Sequence, residues 1–346
     1  MKSVERVKAA LAHKPVDRVC ISGWKHFPLV DMNVKDFVKT TIDYTDNNGF
    51  DFIKVMFNTH FHATPYGANI IYSTNPLSWA GKILEYPLAH PHDFATLEPF
   101  DVEKSSLQLE IEVVKRLADH YKGEVPVIGT MFSPMTSILE MSSIERDQLV
   151  RKMMAYSPKE LEHAIETITQ TNIDFGKKMI EAGADGIFYA THWATTDRMT
   201  KEQHDAYCRP YDLKILDEMN KAGGWFNMMH VHGRQNLMFD WIVDYPVQSY
   251  NWEDVECAPT KGSLADVSAI TDKVLIAGIN LWEDLYNENN DREAIKAVLK
   301  NRLVNALKDC KDNTRFIFAP GCGFPLDLDN YVFTLIQEVA DEVSVK

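Results

Sequence analysis

"FNMMHVHG", residues 226–233, is the stretch on which the reading of this chain turns. Strand side chains alternate between faces, so residues i and i+2 point the same way. If this apolar run is a strand, His230 and His232 look into one place. Its longer frame, "GWFNMMHVH" (224–232), is one of eight similar runs. The others are "RVCISGW" (18–24), "DFIKVMF" (51–57), "VPVIGTM" (125–131), "DGIFYAT" (185–191), "VQSYNW" (247–252), "KVLIAGI" (273–279) and "RFIFAPG" (315–321).

Amphipathic stretches separate these runs. In "SPKELEHAIETITQTNIDFGKKMIEAG" (157–183) apolar residues recur at helical spacing and a glycine follows. Ser157 is an N-cap candidate there, Pro158 falls at the first helical position, and Glu160 occupies the capping-box position. Eight strands alternating with helices, without a Gly/Ser-rich linker, predict one parallel α/β domain over residues 1–346. Eight is also the number that closes a (β/α)8 TIM barrel, here with an N-terminal helical extension. A doubly wound open sheet is the alternative. It ordinarily carries a glycine-rich first βα turn, whereas this chain has "SGWKHFP" (22–28).

Composition narrows the function classes. A net charge of −14 gives no general positive field to attract nucleic acid or an anionic membrane, although a local basic pocket remains open. The N-terminal stretch lacks a signal-peptide core, and no run approaches a membrane span. Cys20, Cys208, Cys257, Cys310 and Cys322 are odd in number and scattered, which fits a reducing cytoplasm better than a disulfide framework.

A barrel places its chemistry at the carboxyl ends of the strands. Those ends carry "NTHFHATPYG" (58–67), "ATHWATTD" (190–197), "HVHG" (230–233), "NWED" (251–254) and "PGCGFPLD" (320–327). The opposite ends, "PVDR", "NNGF", "AGAD" and "NKAGG", are poorer in such groups. Imidazole and thiolate are good zinc ligands, and three protein ligands with one open position characterise a catalytic zinc. His230, His232 and Cys322 therefore form the candidate metal set. The alternative is two hydrogen-bonded histidines and an inert thiol.

His60 and His62 make a second same-face pair if the second strand runs that far. They are candidates for substrate contact or acid–base work, as is His192. Asn58 and Glu140 are further candidates facing substrate. Trp24, Trp193 and Trp252 are expected to wall the pocket, and Glu253 and Asp254 to support the metal ligands. The acidic "WEDLYNENNDRE" (282–293) reads as a solvated loop. The other four cysteines carry no pattern that assigns them chemistry.

The order of "MKSVERVKAALAHKPVDRV", "GADGI", "HVHG" and "FIFAPGCGFPLDLDN" resembles the uroporphyrinogen decarboxylase superfamily over essentially the whole chain. The resemblance implies a (β/α)8 barrel. It offers two branches, the haem-pathway decarboxylases and zinc-dependent, corrinoid-linked methyltransferases. The decarboxylase branch holds substrate propionates with an arginine-rich loop after the first strand. Here that segment is "GWKHFPLVD" (23–31), whose cationic candidates are Lys25 and His26. The branch's aspartate falls on Asn58, its tyrosine near Glu140 and its late histidine on Cys322.

The methyltransferase branch places zinc on His-x-Cys after the fifth strand and on the cysteine of a late Gly-Cys-Gly. This chain has His230-Val231-His232 and Gly321-Cys322-Gly323, with one cysteine replaced by histidine. With Zn²⁺, two imidazoles and one thiolate leave a site at +1, a stronger Lewis acid than a neutral one. The resemblance thus implies zinc-dependent methyl transfer to or from a corrinoid on a partner protein, with oxygen acceptors open beside thiols. The alternatives are a metal-free decarboxylase whose cationic candidates are Lys25, His26, Arg198 and Arg234, and a non-catalytic ligand-binding member.

Overall fold

Alternating burial along each apolar run sorts side chains into an inner and an outer set. In the strand Met228–Val231, Met228 belongs to an interior cluster with Phe52, Ile128, Phe188, Ile276 and Ile317, while Met229 and Val231 join the larger core under the helices. This is the pattern of a closed parallel sheet, buried on both faces. The computed structural model describes residues 1–142, 145–286, 291–310 and 313–343.

The eight barrel strands are β1 (Cys20–Ile21), β2 (Ile53–Lys54), β3 (Val127–Phe132), β4 (Gly186–Thr191), β5 (Met228–Val231), β6 (Ser249–Asn251), β7 (Val274–Ile279) and β8 (Phe316–Pro320). Every paired neighbour is parallel, in the spatial order β1-β8-β7-β6-β5-β4-β3-β2. The seam between β1 and β2 is bridged where Asp51 N–H donates to Ile21 O and Ser22 Oγ–H donates to Phe52 O, each at 2.8 Å. The expected (β/α)8 barrel is the fold. All eight strands fall inside or within one residue of the expected runs, but β1 and β2 keep only two ladder residues each.

The helix Ser3–Leu11 is the N-terminal extension. Its Val7 and Ala10 pack into the interior cluster and plug the amino end of the barrel. Arg6 fixes it, bonding Asp17 at 2.7 Å and the wholly buried Asp51 at 2.5 Å. Asp51 also takes a 2.7 Å ion pair from Arg18 and the Ile21 N–H. A buried carboxylate is tolerated when its lone pairs are filled in this way.

The long helix Pro158–Glu181 begins with Pro158 at its first position, as expected. Ser157 precedes it but makes no side-chain cap, so the expected capping box does not form. Two features depart from simple alternation. Between β5 and β6 the crossover holds only a 3-10 turn, Phe239–Trp241, rather than an α-helix. After β2 the chain builds an antiparallel hairpin of Asn69–Ile71 and Lys82–Glu85, which the sequence reading did not anticipate. Part of the acidic stretch 282–293, residues 287–290, lies outside the described residues. No helix among the described residues is long and apolar enough to cross a membrane.

Candidate metal centre

The carboxyl ends of β5 and β8 bring three donors together. One ligand atom each from His230, His232 and Cys322 lies within 4.8 Å of the other two. His230 Nε2 and His232 Nδ1 are 3.4 Å apart, and His232 Nδ1 is 4.0 Å from Cys322 Sγ. Tetrahedral zinc, with bonds near 2.0 Å to nitrogen and 2.3 Å to sulfur, requires roughly 3.3 Å between two nitrogens and roughly 3.6 Å between nitrogen and sulfur. The first spacing already matches, and the second is reached by a shift of a few tenths of an ångström.

The register of the sheet explains why His230 presents the right nitrogen. It pairs with Asn251 on β6. Asn251 spends its amide N–H groups on Ile276 O (2.7 Å) and Pro320 O (3.0 Å), so its oxygen faces His230 Nδ1 at 2.7 Å. An oxygen there requires the proton on Nδ1. The lone pair is then on Nε2, which points to the other donors. Neither Asn251 nor its neighbour Phe188, stacked on His230 at 5.1 Å, was singled out from the sequence.

Burial makes this an uncharged cluster in the absence of a cation. Desolvation, then the neighbouring His232, pulls His230 down to about 3; desolvation pulls His232 to about 4. Burial, with the Glu253 charge adding to it, pushes the Cys322 thiol up to about 11. Two neutral imidazoles beside a thiol suit a metal, which displaces the thiol proton on binding.

The remaining candidates divide into those near this cluster and those used elsewhere. The His192 ring stacks on His232 with centroids 4.2 Å apart, and its Nδ1 lies 3.8 Å from Glu140 Oε1. Glu140, on the helix Pro134–Met141, is held in turn by Arg146 at 2.5 Å. Desolvation and the nearby cations keep His192 well below the usual histidine range. Glu253 pairs with Arg234 at 3.3 Å, whereas Asp254 accepts the Gly278 N–H and is buried.

The strand β2 ends at Lys54, so His60 and His62 lie in turns and not on a common strand face. His60 Nε2 contacts Gly81 O at 3.1 Å and ties down the hairpin. His62 is buried with both ring nitrogens unpaired, its ring set against Phe132. Asn58 donates to Asp31 and accepts the His60 N–H, which joins the tops of β1 and β2.

Among the three tryptophans, Trp24 lies in the barrel interior, edge-on to Phe188. Trp193 and Trp252, expected as pocket walls, are instead packed into the outer core. Their indole N–H groups donate to Met135 O and Gly262 O. Large rings at strand ends pack outward whenever the register turns them that way. The cysteines other than Cys322 are buried.

All four cationic candidates have companions, Arg234 through its pair with Glu253. Lys25 lies over the Phe333 ring, and His26 stacks on Trp79. Arg198 sits 3.4 Å from Asp147.

The uroporphyrinogen decarboxylase (URO-D) family model matches residues 15–343. The methylcobamide:CoM methyltransferase MtbA of Methanosarcina acetivorans is 24% identical over 312 residues, covering 80% of this chain and 90% of its own. The methylcobamide:CoM methyltransferase MtaA of Methanosarcina barkeri is 22% identical, over 92% of this chain and 91% of its own. The structure of a methyltransferase from Methanosarcina mazei shares the fold across 99% of both chains, with a TM-score of 0.76 at 19% identity. The family match runs from just before the first strand through the last helix, and on that ground the chain belongs to the uroporphyrinogen decarboxylase family.

Proposed function

We propose that this chain is a zinc-dependent methyltransferase that works with a corrinoid protein, its metal held by His230, His232 and Cys322. The observation that carries the reading is the convergence of three donor atoms within 4.8 Å, one of them with its tautomer dictated by Asn251. The methylcobamide:CoM methyltransferases among the relatives support the reaction class.

Zinc bound there supplies Lewis acidity, which favours the deprotonated acceptor at neutral pH. The chain's own residues supply the rest. Asn251 keeps His230 Nε2 free of its proton. Trp24 and Phe188 make the interior beneath the cluster apolar, so charge near it is weakly screened. His192 is neutral at pH 7 and stacked on a ligand; being a weak base there, it relays the proton the acceptor gives up to water and does not hold it. Glu140, 3.8 Å away, offsets the resulting positive charge. In the overall transfer an acceptor–carbon bond forms as the cobalt–carbon bond breaks, both of its electrons remaining on cobalt.

The test is methyl transfer from free methylcobalamin, standing in for the corrinoid protein, to small thiols and alcohols. Zinc-loaded protein is expected to transfer, and Cys322→Ala not. Absence of transfer to every acceptor by protein shown to hold zinc would remove the methyltransferase reading. The two-imidazole ligand set favours alcohols relative to a two-thiolate site; a clear preference for thiols would sink that part.

A further inference from the structure

The hairpin of Asn69–Ile71 and Lys82–Glu85 has no part in the metal centre, and its outer face is unlike the rest of the surface. Ile70 pairs with Ile83, and Ile71 with Lys82. Residues directly opposite share a face and successive residues alternate, so Ile70 and Ile83 lie on one side and Ile71, Lys82 and Leu84 on the other. The first side is half-buried; on the second, Ile71 is 57% and Leu84 48% exposed. An antiparallel ribbon with one face in water ordinarily makes that face polar. Here it is mostly apolar.

The flanking chain extends the patch. Leu77 and Trp79, in the connection between the two strands, are exposed, as are Leu29 and Met32 after β1. The stack of His26 on Trp79 brings the two segments together. These six are over half of the eleven large apolar side chains exposed among the described residues. They offer roughly 600 Å² of apolar surface, the upper end of what a monomer leaves in water. The patch is also held in place. Thr59 Oγ1–H donates to Trp79 O at 2.6 Å, and His60 Nε2 meets Gly81 O at 3.1 Å.

Charge and area select what covers it. Residues 69–85 hold one cation, Lys82, and one anion, Glu85, in a chain of net charge −14. A partner of one strong sign finds no complement there. Opposite charges on either side of Leu84 instead make the face complementary to itself, as a two-fold contact requires. Roughly 600 Å² from each of two copies gives about 1,200 Å², the lower bound for a stable specific interface.

We propose that the outer face of this hairpin joins two copies of the chain in a two-fold dimer, with Ile71, Leu77, Trp79 and Leu84 at its centre. The dimer does not depend on the metal or on the function proposed above.

Sedimentation equilibrium of the full chain tests it. Wild-type protein is expected to be dimeric at about 100 μM, and the double variant Ile71→Glu, Leu84→Glu to dissociate at least about a hundredfold more readily, because the contact would bury unpaired carboxylates. Val298→Glu, on the helix Arg292–Asp309, adds charge to an exposed apolar position outside the patch and should stay within about twofold of wild type. A wild type that is monomeric at that concentration would overturn the dimer, whether it stays free or sediments with phosphatidylcholine vesicles. So would a double variant that associates as tightly as wild type, or equal weakening by Val298→Glu. If the double variant does not fold, Leu77→Ser in the connection should weaken association at least about tenfold, and no change would overturn the proposal.

Discussion

His230 Nδ1 lies 2.7 Å from Asn251 Oδ1, and that single contact fixes which nitrogen of the imidazole is available to a metal. Asn251 cannot turn over, because its amide N–H groups are committed to Ile276 O and Pro320 O. The expected consequence is that Asn251→Ala keeps the barrel but weakens zinc binding by about 10- to 100-fold, the usual scale for losing such support. A competition titration with a chromophoric chelator measures it. Unchanged affinity would mean that His230 needs no help.

His192 and Glu140 make a separable prediction. His192→Phe preserves the stack on His232 but removes the proton acceptor. Methyl transfer should fall about a hundredfold, with zinc content unaltered. Glu140→Gln should fall less, about tenfold, because it removes only the charge beside the imidazole. A matching loss of zinc in His192→Phe would show that the residue holds the metal instead.

Gly321 tests the close approach that sets Cys322 in place. A Cβ there would meet Glu253 Cα at 2.6 Å and Trp252 O at 2.7 Å, backbone on backbone, with no flexible atom to yield. Gly321→Ala should cost about 1–3 kcal/mol by overpacking and should lower zinc affinity by shifting Cys322. Urea unfolding and the chelator titration read the two effects. A variant normal in both would show that the turn repacks freely.

These features mark where the sequence was legible and where it was not. Alternation of side chains along "FNMMHVHG" correctly put His230 and His232 on one face, because strand periodicity is local. The choice of partner across the sheet is not. Asn251 lies 21 residues on and meets His230 only through the parallel register of β5 and β6. His60 and His62 were paired on the assumption of a longer β2. Asn58 and His60 instead spend their polar groups on Asp31, Gly81 and each other, and the chain turns. Trp193 and Trp252 look like pocket walls by position, yet each points into the outer core.

Asp212 gives a pH dependence unrelated to the metal. It is buried, accepts from Tyr189 Oη at 2.6 Å and from Tyr245 Oη at 3.3 Å, and desolvation raises it to about 7. The unfolded chain releases this proton near 3.8, so between the two values the folded state binds more protons. Stability is therefore full below about pH 4, falls as pH rises to about 7, and levels off above, by an amount on the order of 4 kcal/mol. Asp212→Asn should flatten that decline, and should gain on wild type between pH 5 and pH 8 in thermal unfolding. Parallel curves for the two proteins would show that Asp212 does not control it.

The most direct measurement is elemental analysis of protein purified without chelators or a histidine tag, beside His230→Ala and Cys322→Ala. Near-stoichiometric zinc in the wild type, lost from both variants while each remains folded, is the expected result. Wild-type protein that takes up no metal even on reconstitution with zinc would contradict the metal centre, and would leave His230 and His232 as hydrogen-bonding or acid–base residues.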